Sequence, residues 1–277
     1  MLAVCGCNQL LGVQQTQLYD GRPTPMCPSI GTLPTLYGDT HELPAAGCTS
    51  YRVGSDVDIA IARCTLQAIS RGPIDQMLTP VVMDPIGYIY NGPHVAPEGT
   101  SMFIAYNDVS TQRPQLREFD LQPDDSWRTG IEVALPAPSR LAAYTPPTHG
   151  PDRRIVYEIA DGAATSLEEL SSVDGGPWQE AMRYPMTELG IHNSTPFALE
   201  QPSMTPDGLR LLFVGSYTEP GPTIVNGVFY ADRVDIDQHF GVAQMLDRVP
   251  RDAREPYMTA NCGRVYYTGL GAVYYVE

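Results

Sequence analysis

Two glutamates, Glu200 and Glu255, are the residues of this sequence best placed to do chemistry together. Each stands just ahead of a proline in two segments that resemble one another. A pair of carboxylates flanking a glycosidic bond can act as the acid and the nucleophile or base of glycoside hydrolysis. Asp84 and Asp39 are weaker candidates for the same role. The alternative is that these groups are ordinary solvated acids, as most of the 32 aspartates and glutamates must be.

The five histidines offer a second possible chemistry, which is metal binding. No two of them lie at a short ligand spacing such as His-x-x-x-His. His94 and His149 occupy near-equivalent positions in neighbouring repeats, and His41 falls at the analogous position in the first repeat. Three histidines around one axis could bind a metal, whereas descent from a common repeat explains the spacing without a ligand. We expect no metal and no cofactor, and the candidate residues lining a central channel are His94, His149, Glu200, Glu255 and Tyr257.

Composition excludes several classes of function. The 17 basic residues are all arginine, and with 32 acidic residues they give a net charge of −15. Such a chain lacks the basic face that neutralises phosphates, so we expect no nucleic-acid partner. Without lysine there is no P-loop lysine, no Schiff-base lysine and no Ser-x-x-Lys nucleophile. A Gly-x-Ser-x-Gly elbow and a glycine-rich phosphate loop are also missing from the sequence.

The first residues carry a motif typical of lipidation. Val4-Cys5-Gly6-Cys7 resembles a bacterial lipobox, in which Cys7 would be acylated. An export signal needs an apolar segment of about 7–15 residues, so either the signal begins upstream of Met1 or the likeness is accidental. We expect residues 1–20 to form a truncated signal and tether, and residues 21–277 to form one domain. An acyl chain would then be the membrane anchor, since no segment approaches the roughly 18 apolar residues of a membrane span.

A repeat of about 54 residues indicates the fold. Similar segments begin at residues 93, 147, 202 and 256, with steps of 54, 55 and 54. Each segment leads through a polar turn, such as Pro-Asp-Gly at 206–208, into short apolar runs that alternate with period two. Four short strands in a repeat of this length are typical of a β-propeller blade. An irregular sandwich with evenly spaced turns is the alternative.

Projection by one period upstream places a degenerate fifth unit near residue 39, with strands expected at 49–53 and 59–64. We therefore predict an all-β, five-bladed propeller with four short antiparallel strands in each blade. The blades are expected at about 39–85, 86–140, 141–195, 196–249 and 250–277. The last unit is too short for four strands, so we expect the apolar stretch Ile30–Tyr37 of the N-terminal segment to supply its outer strand and close the ring.

Four further cysteines suggest two disulfides, because their number is even and the start of the chain points to export. Cys48 and Cys64 lie symmetrically about a turn at 54–58 and would face each other on adjacent strands. Cys27 lies in the N-terminal segment and Cys262 in the first turn of the last blade. These two would meet if the N-terminal segment closes that blade. Four cysteines allow three pairings, so this scheme stays a hypothesis.

The Asp-Gly turn, followed by an apolar strand and an aromatic-rich strand, resembles the TolB-like propeller repeat. The likeness is best at 202–232 and 256–276 and fair at 93–121. Together with the lipobox-like start, the layout also resembles lipoproteins of myxobacteria and related GC-rich bacteria. The TolB resemblance implies a periplasmic protein that binds partners rather than an enzyme.

Three functions remain open for the sequence. The favoured one is a non-catalytic lipoprotein of the periplasm or outer membrane, a monomer that binds an envelope protein or a small or glycan ligand. The second is a five-bladed glycoside hydrolase that uses Glu200 and Glu255, and the third is a structural part of an envelope assembly. Two channel carboxylates about 5–10 Å apart, with flanking aromatic residues, would favour the hydrolase, whereas a channel plugged by apolar side chains would exclude it.

Overall fold

The fold is a five-bladed β-propeller, which confirms the predicted architecture. The computed structural model describes residues 39–44, 47–53, 59–65, 68–73, 76–84, 93–95, 101–107, 114–133, 152–161, 164–173, 176–191, 199–218, 224–259 and 262–277. Within these ranges every long regular element is a β-strand, and the strands form five antiparallel sheets. The described residues include no helix long and apolar enough to cross a membrane.

Each sheet is one blade, and its strands follow one another along the chain. The first strand, β1 (His41–Glu42), belongs to the last blade. Blade 1 contains β2 (Thr49–Val53), β3 (Ile59–Thr65), β4 (Ala68–Pro73) and β5 (Thr79–Pro80). Blade 2 contains β6 (His94–Val95), β7 (Ser101–Asn107), β8 (Pro114–Leu121) and β9 (Trp127–Val133). Blade 3 contains β10 (Asp152–Asp161), β11 (Ala164–Val173) and β12 (Gln179–Pro185).

Blades 4 and 5 complete the ring. Blade 4 contains β13 (Leu199–Met204), β14 (Arg210–Thr218), β15 (Ile224–Asp232) and β16 (Gln244–Met245). Blade 5 contains β17 (Arg254–Met258), β18 (Val265–Gly269) and β19 (Ala272–Val276). Blade 3 has three strands in the described part of the chain, since the segment around residue 147 predicted to enter that blade lies outside it. The first strand of each of the other four blades is the innermost.

Alternating side chains pack each blade against both of its neighbours. In β14, Leu211 and Phe213 contact blade 3, whereas Leu212 between them contacts blade 5. The described residues form five apolar clusters of this kind, one at each interface between adjacent blades. Full burial of one such side chain contributes about 1.5–3 kcal/mol. Residues that alternate along a strand therefore pack on the two opposite faces of a blade. The five interfaces formed in this way close the ring.

The N-terminal segment closes the ring, as predicted, but by a different stretch. Strand β1 pairs antiparallel with β19, and the Leu43 N–H donates a hydrogen bond to Val273 O at 2.9 Å. The predicted stretch Ile30–Tyr37 lies outside the described residues. An outermost strand exposes its side chains to water, so polar residues suit it better than apolar ones. The apolar character of Ile30–Tyr37 was a poor guide, because the closing strand pairs through its backbone. The buried Leu43, next to β1, anchors the segment.

A disulfide links the two inner strands of blade 1. Cys48 immediately precedes β2, Cys64 lies in β3, and the two are bonded, which confirms that pairing. Cys262 is also disulfide-bonded and lies in the turn between β17 and β18, whereas Cys27 and Cys7 lie outside the described residues. Disulfides persist in oxidising compartments, so these bonds favour a location outside the cytoplasm.

Blades 4 and 5 each contain an ion pair at the equivalent position of the repeat. Arg210 begins β14 and forms a bidentate pair with Asp232 at the end of β15, at 2.6 and 2.7 Å. One repeat later, Arg264 stands just before β18 and its Nε donates to Glu277 beyond β19 at 2.6 Å. A guanidinium and a carboxylate thus join the same two strands in blades 4 and 5. This pairing explains why arginine recurs directly after the polar turn.

A buried ion cluster joins blades 3 and 4. Glu169 in β11 accepts hydrogen bonds from Arg233 Nη1 and Nη2 at 2.8 and 3.0 Å, and both side chains are fully buried. The Tyr184 hydroxyl donates to the same carboxylate at 2.6 Å, and Arg154 Nη1 lies 3.5 Å from it. Burial, followed by the Glu169 charge, raises the pKa of Tyr184 and keeps its proton on. The carboxylate is therefore saturated by donors and serves the blade interface.

Candidate functional site

The innermost strands place four polar or aromatic residues at one level around the propeller axis. In each blade these residues lie opposite the same position of the second strand, one residue before the end of the ladder. All four are almost completely buried. We call them the central set, and its members are Arg52, His94, Ser203 and Tyr257. The equivalent position of blade 3 lies outside the described residues.

Glu255 stands beside the central set, on the innermost strand of blade 5. Its backbone has φ 52°, and its N–H donates to Gln201 Oε1 at 2.8 Å. Gln201 has φ 53° at the equivalent position of blade 4. A positive φ is unfavourable for residues other than glycine and persists only where the surroundings enforce it. A bulge in each strand at this position, together with the hydrogen bond between them, enforces it here.

The Glu255 carboxylate is engaged by groups from two blades. Its Oε2 accepts a hydrogen bond from Thr268 Oγ1 at 3.0 Å. Its Oε1 lies 3.6 Å from Nη2 of Arg63, which is on the second strand of blade 1. The Glu255 backbone contacts blade 4 through Gln201, so this residue links three blades. Such contacts suit a group that stabilises the centre of the ring.

Arg52 and Tyr257 fill the space between blades 5 and 1. Arg52 Nη1 donates to Tyr51 O at 3.0 Å and to Glu255 O at 3.4 Å, and its guanidinium carbon lies 5.2 Å from the Tyr257 ring centroid. The Tyr257 hydroxyl donates to Val53 O at 2.6 Å. Burial lowers the pKa of Arg52 to about 10, against the opposing effect of Glu255, and burial raises the pKa of Tyr257 to about 12. At neutral pH, Arg52 is therefore charged and Tyr257 is neutral.

His94 makes the stability of the centre depend on pH. Burial first, and then the positive charge of Arg52, hold the pKa of His94 well below its usual 6.5, so the folded protein keeps the ring neutral. The unfolded chain binds this proton below about pH 6.5. The free energy of unfolding is therefore unaffected by this group above that pH. Below it, the free energy of unfolding falls by up to about 1.4 kcal/mol per pH unit.

Urea unfolding between about pH 5 and pH 7.5 checks this prediction. In His94→Gln, the slope of the unfolding free energy against pH is expected to be smaller by the contribution of one proton. Ser203→Ala, which changes another buried member of the central set and removes no titratable group, is the control and should keep that slope. Equal slopes in the wild type and His94→Gln would contradict the assignment.

Three of the predicted site residues lie away from the propeller axis. Asp84 pairs with β9, the outermost strand of blade 2, where it accepts the Thr129 N–H at 2.8 Å and Arg128 Nη1 at 3.0 Å. These hydrogen bonds, the backbone one first, lower the pKa of Asp84. Asp39 is exposed ahead of β1, and His41 lies in that outermost strand, stacked on Tyr275 at 4.9 Å. The weaker carboxylate candidates and the third histidine therefore do not lie on innermost strands, because repeat spacing fixes the blade and not the strand.

Some of the other predicted site residues lie at the centre of the propeller, and the rest lie outside the described part of the chain. His94, Glu255 and Tyr257 do lie together near the axis. The backbone of Glu200 lies in β13 opposite Val214, and its side chain is outside the description. His149 is also outside it. Among the described residues, no three histidine, cysteine, aspartate or glutamate side chains form a group able to hold a metal ion.

Arg52, Arg63 and Gln201 at the centre were missed by the sequence reasoning. A signal for the two arginines was present, because each interrupts a strand predicted to be buried. Arg52 stands between Tyr51 and Val53, and Arg63 follows Ile61 and an alanine. A charged residue in a buried strand needs a partner, so either one could have been proposed as the counterpart of a central carboxylate.

A separate pocket of about 220 Å³ opens beside the outer part of blade 5. Its two tyrosines, Tyr267 and Tyr274, face each other across β18 and β19 with ring centroids 5.7 Å apart. Leu270, on the turn between these strands, has φ 48° and is 93% exposed. The lining is mostly apolar. The residues of this blade 5 pocket are Thr40, Pro250, Asp252, Tyr267, Gly269, Leu270 and Tyr274.

Comparisons with known proteins agree with the fold. No family model matches the sequence, and no curated protein matches it. A TolB protein from Agrobacterium tumefaciens aligns with a TM-score of 0.51 and 13% identity, over 80% of this chain and 69% of the other. A thermostable family-43 glycoside hydrolase aligns with a TM-score of 0.53 and 12% identity, over 85% and 91% of the two chains.

A third solved structure extends the comparison to another glycoside hydrolase. The alpha-L-arabinanase of Penicillium chrysogenum aligns with a TM-score of 0.51 and 12% identity, over 83% of this chain and 80% of the other. The propeller fold is common to all three. At these identities the likeness concerns the fold alone, and both TolB and glycoside hydrolases share it.

Proposed function

We propose that this protein is a non-catalytic binding propeller of the cell envelope, anchored outside the cytoplasm by a lipid on Cys7. The observation that carries the proposal is the blade 5 pocket with Leu270 exposed at its rim. A large apolar side chain beside an apolar, aromatic-lined pocket is typical of an interaction surface. The occupant is an apolar side chain from a segment of a partner protein, inserted between Leu270 and the two tyrosines.

The charge of the chain narrows the chemistry of the partner. A net charge of −15 attracts basic surfaces and repels acidic ones. Asp252 adds a carboxylate to the lining of the blade 5 pocket. We therefore propose a partner segment in which an apolar anchor residue is flanked by lysine or arginine. The engagement of Glu255 by Thr268 and Arg63 supports a binding role over catalysis, since this carboxylate already has partners.

Leu270→Asp tests the pocket against a matched control, Val234→Asp. Val234 is 75% exposed on the turn after β15, so both changes place a charge on an exposed apolar site. We expect Leu270→Asp to weaken binding of the partner about 10- to 100-fold, the equivalent of one buried apolar anchor. Val234→Asp should bind like the wild type. The measurement is titration calorimetry of the full chain with the partner identified by cross-linking in the envelope. Equal affinities of all three proteins would contradict the proposal.

Glycoside hydrolysis at the centre is the second candidate function. It is favoured by the place of Glu255 on an innermost strand and by the fold shared with two glycoside hydrolases. Release of reducing sugar from a panel including arabinan and xylan tests it. Hydrolysis that is lost in Glu255→Gln and Glu200→Gln, but kept in the surface variant Glu132→Gln, would establish this activity and overturn the non-catalytic proposal.

A further inference from the structure

The disulfide of Cys262 ties the N-terminal segment to blade 5. The sequence has six cysteines, and Cys48 and Cys64 are bonded to each other. Within the chain, the partner of Cys262 is therefore one of the three cysteines that precede residue 39. With a lipid on Cys7 and the residues before it removed as a signal, Cys27 remains for this bond.

A second attachment holds the same segment on the same blade. Strand β1 pairs with β19, and Thr40, directly ahead of β1, lines the blade 5 pocket together with Tyr267 and Tyr274. Cys262 and Tyr267 belong to one apolar cluster, and Tyr274 packs against it. Residues 28–39, which we call the strap, therefore connect two points of blade 5, and one of these points is the edge of the pocket.

The strap suits the pocket in its polarity. Residues 28–38 contain no charged side chain, although the whole chain carries a net charge of −15. They are consequently not repelled by Asp252 in the lining or by the acidic surface around it. Contact with the mostly apolar lining would remove apolar surface from water. The apolar and aromatic residues of the strap are Ile30, Leu33, Leu36 and Tyr37.

The strap is also long enough to cover the pocket. Strand β19 has five residues and is about 17 Å long, and it ends near the turn that carries Leu270. Twelve extended residues span up to about 40 Å. A strap fixed at Cys262 and at Thr40 can therefore reach Leu270 and return.

We propose that the strap folds back over blade 5 and places Leu36 in the blade 5 pocket, where it blocks the site until a partner displaces it. This inference rests on the function proposed for that pocket and adds its regulation. Gly38 lies between Leu36 and Thr40 and permits the sharp turn that folding back requires. Attachment at both ends gives the strap a high effective concentration at the pocket. A partner with basic flanks displaces it because those flanks attract Asp252, which the uncharged strap cannot do.

NMR of the full chain with labelled leucine methyl groups tests the contact without any partner. The expected result is a nuclear Overhauser effect between the Leu36 methyl groups and the ring of Tyr267 or Tyr274. Leu36→Asp should shift the resonances of both rings. Leu18→Asp, which places the same charge ahead of the strap, is the matched control and should leave them unchanged. Absence of any contact between Leu36 and the two rings would overturn the proposal.

Titration with a synthetic peptide that has one leucine between two pairs of arginines tests the regulation. Leu36→Asp is expected to bind this peptide about tenfold more tightly than the wild type, the gain for a pocket that the strap leaves open about one-tenth of the time. Leu18→Asp should bind it like the wild type. If Leu270→Asp abolishes binding while Leu36→Asp leaves it unchanged, the strap is overturned and the proposed function stands. If Leu36 contacts the rings but no variant binds the peptide, the strap stands and the proposed function fails.

Discussion

Glu169→Leu is expected to lower the free energy of unfolding by about 4 kcal/mol, because it leaves buried arginines without their carboxylate. In the native protein Glu169 accepts three short hydrogen bonds, two from Arg233 and one from Tyr184. Both Glu169 and Arg233 have no exposed surface. Removing one partner of such a pair costs far more than the pair itself contributes, since the remaining charge stays buried. Equilibrium unfolding in urea measures the loss.

Two further variants separate the buried charge from a general loss of packing. Glu132→Gln removes a carboxylate whose pair with Arg117 is largely exposed, and it should cost less than about 1 kcal/mol. Glu169→Leu combined with Arg233→Met should recover much of the stability, because no uncompensated charge from this pair remains. If the double variant were as unstable as the sum of the two single variants, the charge argument would be wrong.

The Cys48–Cys64 disulfide is expected to contribute about 3 kcal/mol, the value for a closed loop of roughly 15 residues. The two cysteines are separated by 16 residues in the sequence, and the bond constrains the unfolded chain over that length. Cys48→Ala combined with Cys64→Ala removes the bond while leaving the neighbouring blade intact. A loss of this size corresponds to a fall in Tm of about 6–10 °C for a chain of this length.

Calorimetry of the double variant, without a reducing agent, is the right measurement. A reducing agent would also break the disulfide of Cys262, so it would not isolate the bond in blade 1. Cys48→Ala alone should lose nearly as much stability as the double variant, because either change removes the bond. A loss below about 1 kcal/mol in the double variant would show that strands β2 and β3 do not need the constraint.

Much of the fold could be predicted because each repeat contains local sequence patterns that indicate its turns and strands. Polar turns at a period of about 54 residues marked the blades, and period-two alternation marked their strands. The spacing of Cys48 and Cys64 about one turn also predicted their pairing, since two residues equally far from a hairpin turn face each other. These features need only neighbouring residues, so the sequence alone contains them.

The candidate site was predicted only in part. Glu255, His94 and Tyr257 were placed near the axis because each begins an innermost strand of a repeat. Their partners could not be predicted in the same way. Tyr257 bonds to Val53 across 204 positions of sequence, and Arg52 reaches Glu255 across 203. No local pattern records a contact between residues so far apart.

The sequence by itself determined the blades, their strands and the first disulfide. Only the tertiary structure decided which strand closes the ring and which arginines face Glu255. It also decided that Asp84 bonds to an outermost strand and that His41 lies in one. The physical reason is that alternation and turns are local properties, whereas ring closure brings the first and last blades together. The interactions formed by that closure depend on the packing of all five blade interfaces. Those interactions determine the chemistry at the axis.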